Sequence, residues 1–252
     1  MRYYQRRQSK KPNRVTTIRK ISSRNTQSAA KVANTQCRQL RILLFSSAHN
    51  AMTQAIERML IEKGHATIFC QALSGGAMRS AFQAASPDLI ICPTLMTAIP
   101  EDIYKAVNCL IVHPGIAGDR GPSALDWVIL NGLTQWGVSI IEAAQEMDAG
   151  DIWATATFSL NPCATKSAIY SSKVIPCALK LVSQCVAHFL DDTFVPMPLD
   201  KTNPKIKGRL HSTIRQRHPE RQIDWVNDSS DWVIKKVRAA DGQPGCKAIL
   251  NV

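Results

Sequence analysis

The sequence predicts an α/β protein with a doubly wound, mostly parallel sheet. From Arg41 onward, short apolar runs suited to buried strands alternate with segments whose apolar residues recur at helical spacing. The chain has 252 residues, of which 45% are hydrophobic and 20% are charged. That is enough material for a sizeable core in roughly one or two domains. The alternation predicts an α/β domain with a trailing helix at residues 41–190.

Six strands are predicted in this region, each a short apolar run. In order they read RILLFSS, HATIFC, DLIICP, CLIVHPG, VSIIEA and DIWATATFSL. Apolar spacing predicts helices around residues 52–60 and 78–85, and a further helix after Ser123. Ser123, with Asp126 three residues later, is typical of a capping box. A long helical pattern runs from 166 to about 190, and Pro176 is predicted to kink or split it.

The positive charge lies in the first 41 residues, which contain eight Arg, four Lys and no acid. This segment accounts for the whole net charge of +12, so the remainder is neutral. We expect residues 1–40 to be a disordered basic extension, since they cannot build a core. An organelle transit peptide and a nucleic-acid arm are the alternatives. The folded domain is not expected to bind nucleic acid.

The cysteine pattern and the hydropathy exclude several classes of protein. Eight cysteines are scattered without any C-x-x-C pair, so neither a disulfide framework nor a zinc site is expected, and no other metal site is predicted. No stretch of about 18 uncharged apolar residues is present, so a membrane span is not expected. These features favour a reducing, cytoplasmic location, with organelle targeting by the basic head as the alternative.

Candidate site residues follow the predicted strands, because open α/β sheets bind ligands beyond the carboxyl ends of their strands. The segment after the first strand lacks glycine, which disfavours NAD, FAD and a P-loop nucleotide. Six of the twelve glycines fall between Gly115 and Gly150. In this region His113 and Asp148 come from neighbouring strand ends and could form a hydrogen-bonded pair for proton transfer. A structural role for His113, and a turn-capping role for Asp148, are the alternatives.

The motifs in this region resemble those of the formyltransferase family that uses 10-formyltetrahydrofolate. The matching sequence motifs are IVH at 111–113, RG at 120–121, GV at 137–138 and MDAGD at 147–151. The resemblance covers about residues 41–250 and implies the family's N-terminal fold, with 10-formyltetrahydrofolate as formyl donor. It implies that His113 acts as general base or carbonyl polariser, and that Asp148 is a catalytic or orienting carboxylate.

The same resemblance implies a set of folate-binding positions. They lie at the end of the third strand, where members of the family hold the pteridine by backbone groups, and in the glycine-containing loop after the fourth strand. The positions are Pro93, Thr94 and Leu95 in the first group, and Gly115, Arg120 and Gly121 in the second. Arg120 could bind the folate glutamate tail or a phosphate, or it could be a solvated loop residue.

Longer sequence motifs resemble those of one branch of this superfamily, the formyltransferase-like half of certain hydrogenase maturation proteins. They are CLIVHPGI-x-GDRGPS-x-LDW-x-ILNG, EMDAG-x-IWA and RAADG-x-PG. The resemblance implies formyl transfer to coenzyme A, after which an enoyl-CoA-hydratase-like partner half releases carbon monoxide for the nickel-iron site. That half is absent from this sequence. We expect residues 191–252 to be a linker and the start of a truncated C-terminal formyltransferase domain.

At one position this sequence departs from the pattern of the family that it resembles. Ile111 stands where the family has a catalytic Asn, and its side chain cannot donate a hydrogen bond to a developing oxyanion. Two alternative functions remain. One is methionyl-tRNA formyltransferase, against which Ile111 argues, and the other is a truncated relic that binds folate without turnover.

Overall fold

The computed structural model describes residues 38–200, 202–204, 206–215, 218–242 and 245–249. Six strands form one sheet in the order β2-β1-β3-β4-β5-β6. The strands are β1 (Arg41–Ser46), β2 (Ala66–Gln71), β3 (Leu89–Cys92), β4 (Cys109–His113), β5 (Gln135–Glu142) and β6 (Ile152–Ser159). All six correspond to the predicted apolar runs.

Helices cover both faces of the sheet. They are α1 (Ala51–Glu62), α2 (Gly75–Ala85), α3 (Glu101–Tyr104), α4 (Ala124–Leu130), α5 (Lys166–Ile169), α6 (Ile175–Phe189) and α7 (Ser230–Ala239). Alternate residues of β1 point to different cores, because successive side chains of a strand face opposite sides. Ile42 and Leu44 pack with the buried faces of α1, α4 and α6, whereas Leu43 and Phe45 pack with α2 and α3. The doubly wound α/β fold predicted from the sequence is therefore confirmed.

One strand of the sheet runs in the opposite direction to the other five. The strands β2, β1, β3 and β4 pair in parallel, β5 is antiparallel to β4, and β6 is antiparallel to β5. Only β5 therefore runs against the others, and the sheet is mostly parallel as predicted. As a consequence, the loop that follows β5 begins beside Leu110, at the start of β4, and not beside His113 at its end.

The helical segment that begins at Lys166 is split, as expected from the presence of Pro176. A π-helical turn, Tyr170–Val174, joins α5 to α6, and Pro176 lies in the first turn of α6. Proline has no backbone N–H to donate, and its ring crowds the carbonyl four residues earlier. A wider turn just before the proline accommodates both effects.

Two further corrections concern the predicted boundaries and caps. Most of the basic extension lies outside the described residues, but Leu40, predicted within it, is buried and belongs to the core. Its N–H donates to His65 Nδ1 at 3.3 Å. Ser123 does precede α4, but its hydroxyl makes no capping bond and accepts the N–H of Ile214 at 2.9 Å instead. The predicted capping box is therefore wrong.

The C-terminal part is small and lies next to the α/β domain. The strands β7 (Gln222–Ile223) and β8 (Lys247–Ala248) pair in parallel, and α7 packs against α4. Within the segment predicted to be a linker, residues 206–215 run alongside the glycine-containing loop that follows β4, through an isolated parallel bridge between Arg120 and Leu210. Among the described residues, no helix has the length and apolar character needed to cross a membrane.

Candidate active site

His113 ends β4 and is buried next to a carboxylate that the sequence analysis did not single out. Its Nε2 lies 2.8 Å from Asp119 Oδ2, in hydrogen-bonding geometry. The His113 side chain is 5% exposed and that of Asp119 is fully buried. An ionised carboxylate only accepts hydrogen bonds, so opposite an ionised Asp119 the imidazole donates from Nε2.

Gly115 makes this pair possible. A Cβ atom at this position would lie 2.4 Å from both His113 Nε2 and Asp119 Oδ2. The carbonyl of Gly115 accepts the Ser139 hydroxyl at 2.9 Å, and the carbonyl of Pro114 accepts Trp136 Nε1–H at 2.8 Å. The loop is thus anchored to β5, with the glycine at the point of closest approach.

Asp148 approaches the other nitrogen of His113. Its Oδ2 is 3.7 Å from His113 Nδ1, which is longer than a hydrogen bond, and it accepts the N–H of Gly121 at 3.1 Å. Asp148 adopts a left-handed backbone conformation with φ of 52°. The two residues predicted as catalytic are therefore neighbours, but the direct hydrogen bond of His113 goes to Asp119.

His211 completes the cluster from the C-terminal side. Its Nε2 lies 2.8 Å from Asp119 Oδ1, an ion-pair contact when the imidazole is protonated. Backbone bonds hold it there: Arg120 N–H donates to Arg209 C=O at 3.1 Å, and His211 N–H donates to Arg120 C=O at 2.9 Å. The sequence analysis missed both residues. Asp119 could have been found as an acid within the glycine-containing loop, but nothing in the sequence links His211 to it.

Arg120 is a buried residue of the same loop. It is 8% exposed, and its guanidinium pairs with Glu146, whose side chain is mostly exposed. It also lines a cavity of about 260 Å³ together with Gly118, Leu199, Ile206, Gly208, Arg209 and Leu210. Of the two alternatives for Arg120, a solvated loop residue does not fit this burial.

The turn predicted to hold the pteridine follows β3, whose Cys92 pairs with Ile111 of β4. Thr94 is tied to the end of β1: its carbonyl accepts Ser47 N–H at 2.7 Å, and its hydroxyl lies 2.7 Å from the Ser46 hydroxyl. Pro93 is buried, and Leu95 packs against the core. The backbone N–H and C=O of Leu95 make no hydrogen bond within the described part of the chain.

No reactive group comes from Ile111 or from the buried thiols of Cys109 and Cys185. Ile111 packs with both adjoining apolar clusters and offers no donor. Burial, followed by the charge of Glu142, raises the pKa of Cys109 to about 12, and burial raises the pKa of Cys185 to about 12. Such thiols are not nucleophiles near neutral pH. No group of three or more His, Cys, Asp or Glu in the described ranges could hold a metal ion.

The site has a histidine at the end of β4 and two carboxylates beside it. This arrangement agrees with the comparison of the chain with protein-family models. The formyl transferase family model matches residues 11–175. The chain belongs to the formyl transferase family.

Two of the proteins that are similar to this chain are hydrogenase maturation proteins. The hydrogenase maturation factor HoxX of Bradyrhizobium diazoefficiens is 40% identical over 206 residues, which cover 82% of this chain and 36% of that protein. The crystal structure of HypX from Aquifex aeolicus in complex with tetrahydrofolic acid superposes with a TM-score of 0.76 at 35% identity, over 84% of this chain and 36% of HypX. This chain therefore spans about a third of the length of either relative.

The methionyl-tRNA formyltransferase of Thermotoga maritima is less similar. It is 26% identical over 175 residues, which cover 67% of this chain and 52% of that enzyme. The expected resemblance to the formyltransferase-like half of HypX and HoxX is confirmed by these comparisons.

Proposed function

We propose that this chain takes a formyl group from 10-formyltetrahydrofolate and transfers it to coenzyme A, as a step in carbon monoxide ligand synthesis for nickel-iron hydrogenase maturation. The observation that carries the proposal is the buried His113, set between Asp119 and Asp148 at the strand end of a formyl transferase family member. The similarity to a HypX structure that contains tetrahydrofolic acid supports a folate donor.

The residues at this edge of the sheet suit such a donor. Leu95 has free backbone groups to hold a pteridine, and Pro93 and Thr94 fix the turn that presents them. Arg120 lies in the loop with Gly115 and Gly121 and lines the cavity. Its guanidinium would hold an anionic group of the donor, which would replace the exposed Glu146 as its ion-pair partner. When bound, the donor supplies an electrophilic formyl carbon.

The protein's own contribution is to move a proton. With Nε2 of His113 engaged by Asp119, Nδ1 accepts the proton of the attacking group and later returns one to the leaving amine. The Asp148 carboxylate, 3.7 Å from Nδ1, stabilises the imidazolium that forms in between.

Ile111 favours a thiol over an amine as the acceptor. Removal of one oxyanion donor from an acyl-transfer site costs roughly 2.7–4 kcal/mol in the transition state. A thiolate is a strong nucleophile and needs less electrophilic help than an amine. We therefore assign coenzyme A, and not initiator methionyl-tRNA, as the acceptor.

The test is release of tetrahydrofolate from 10-formyltetrahydrofolate by the purified full chain, with and without each acceptor. We expect coenzyme A to stimulate release and initiator tRNA to have no effect. His113→Ala is expected to lower the rate on the order of 100-fold or more, and Asp148→Asn to have a comparable effect. Asp151→Asn is the matched control, since Asp151 lies in the same turn but its side chain is exposed.

Each other outcome contradicts a defined part of the proposal. Efficient formylation of the tRNA would identify a methionyl-tRNA formyltransferase. Folate binding without release under any condition would identify a relic without turnover. Full activity of His113→Ala would remove His113 from the mechanism.

The proposal extends to the setting of the reaction. HypX and HoxX are more than twice as long as this chain, and a hydratase-like partner half would consume the formyl thioester and release carbon monoxide. The cytoplasm, where folate and coenzyme A are both present, is the proposed location.

A further inference from the structure

Asp119 is enclosed by two imidazoles that come from distant parts of the sequence. His113 Nε2 contacts Oδ2 and His211 Nε2 contacts Oδ1, each at 2.8 Å. The Asp119 side chain has no exposure to solvent. A carboxylate with no access to water depends on such partners to remain charged, because burial disfavours the ionised form.

The contact with Asp119 determines which nitrogen of His113 carries the proton in the neutral imidazole. An ionised carboxylate at this distance can only accept a hydrogen bond, which requires the proton on Nε2 and the lone pair on Nδ1. Nδ1 faces Asp148 at 3.7 Å, a distance that leaves it without a direct hydrogen bond. A carboxylate that selects a tautomer in this way keeps the opposite nitrogen ready for proton transfer.

His211 holds the carboxylate from its other side. Backbone bonds to Arg120 fix its position in the chain, and its ring stacks on Trp127 with centroids 6.2 Å apart. The ring nitrogen lies 2.8 Å from Oδ1, where an Nε2–H group attracts the carboxylate electrostatically in the neutral ring as well as in the protonated one. His211 therefore restrains Asp119 without competing for the oxygen that His113 uses.

We propose that Asp119, restrained by His211, is the positioning residue that fixes His113 in its Nε2–H tautomer and leaves Nδ1 as the nitrogen that exchanges protons with the substrate. The link to proton transfer rests on the proposed formyl transfer. The selection of the tautomer does not, and it can be measured without any activity.

The first experiment is nitrogen-15 NMR of the imidazoles in the full chain at alkaline pH, where imidazoles are neutral. The His113 signals are assigned by their loss in His113→Gln. We expect wild-type His113 to be in the Nε2–H form, and Asp119→Asn to shift the population towards Nδ1–H, because an amide can donate to Nε2. A wild-type Nδ1–H form, or an unchanged tautomer in Asp119→Asn, would overturn the proposal.

Variants of His211 keep the proposal testable if Asp119→Asn does not fold. His211→Phe retains a ring against Trp127 but loses the nitrogen, whereas His211→Gln retains a donor near the same place. We expect a mixed His113 tautomer in His211→Phe and the wild-type form in His211→Gln. His218→Asn is the matched control, because His218 packs edge-on against the same Trp127 without contacting Asp119. Identical spectra in the Phe and Gln variants would contradict the role of His211.

The second experiment compares kcat and KM for tetrahydrofolate release. Asp119→Asn should lower kcat at least tenfold with little change in KM for the folate, since substrate contacts are intact. A changed tautomer with unchanged kcat in an active protein would refute the positioning role. If no variant and no wild-type protein releases tetrahydrofolate, the proposed function fails, while the NMR result still decides whether Asp119 selects the tautomer.

Discussion

At the scale of single residues, Gly115 leaves no room for a side chain, because a Cβ atom there would overlap His113 and Asp119. We predict that Gly115→Ala destabilises the protein by about 1–3 kcal/mol, as overpacking does, and pushes His113 and Asp119 apart. Urea unfolding and tetrahydrofolate release measure the two effects. Gly76→Ala is the control, since its nearest neighbour atom would be 3.8 Å from the new Cβ. Wild-type release by Gly115→Ala would show that the His113–Asp119 contact is dispensable.

His65 gives a pH dependence to the stability of the fold. Burial, and then the charge of Lys63, lowers the pKa of His65 below its ordinary value of 6.5. The folded state thus binds this proton less tightly than the unfolded chain, so the stabilisation is complete above pH 6.5 and is lost as the pH falls below it. The hydrogen bond from Leu40 N–H needs an unprotonated Nδ1, which acts in the same direction.

The corresponding variant is His65→Asn, whose side-chain oxygen can accept from Leu40 without titrating. We predict that thermal unfolding of His65→Asn shows a smaller loss of melting temperature between pH 7.5 and pH 5.5 than wild type. Parallel curves for the two proteins would assign the acid sensitivity to other groups.

At the scale of elements, the sequence predicted strands and helices better than their directions. Apolar runs and helical spacing are local properties, so all six strands and the break before Pro176 could be predicted. The reversal of β5 could not, because its apolar run reads the same in either direction. For this reason Asp148 was expected at a shared strand edge, whereas its loop begins beside Leu110 and returns to His113.

The segment at 206–215 was the other element that the sequence did not predict. Its role depends on backbone bonds to residues about 90 positions earlier, and such contacts leave no periodic signal. Gly208 is the position that permits them, since its N–H donates to Ala117 C=O at 2.9 Å and a Cβ would lie 1.8 Å from the Asp119 nitrogen.

We therefore predict that Gly208→Ala lifts this segment from the loop. Hydrogen exchange at the Arg120 amide, which donates to Arg209, should become faster, and the melting temperature should fall. Lys207→Ala, at the neighbouring exposed position, should change neither. Unchanged protection of the Arg120 amide in Gly208→Ala would show that the segment is held by other contacts.

At the scale of the whole molecule, the two residues predicted as a capping box instead join the α/β domain to the C-terminal part. Ser123 accepts from Ile214, and the buried Asp126 pairs with Arg221 and, at 3.3 Å, with Lys166. Arg221 in turn donates to the carbonyl of Ala239 at 3.0 Å, at the end of α7. Asp126 thus connects α4, α5 and the C-terminal part through charge.

The removal of Asp126 should therefore cost more than the loss of one surface ion pair. Asp126→Ala leaves Arg221, whose side chain is 13% exposed, without its anion, and we predict a loss of about 3 kcal/mol in the free energy of unfolding. The double variant Asp126→Ala with Arg221→Met removes the uncompensated charge and should recover part of this loss. Urea unfolding measures both, and hydrogen exchange in α7 shows whether the loss is local. A double variant no more stable than Asp126→Ala would mean that the cost arises from packing around α4 and not from the buried charge.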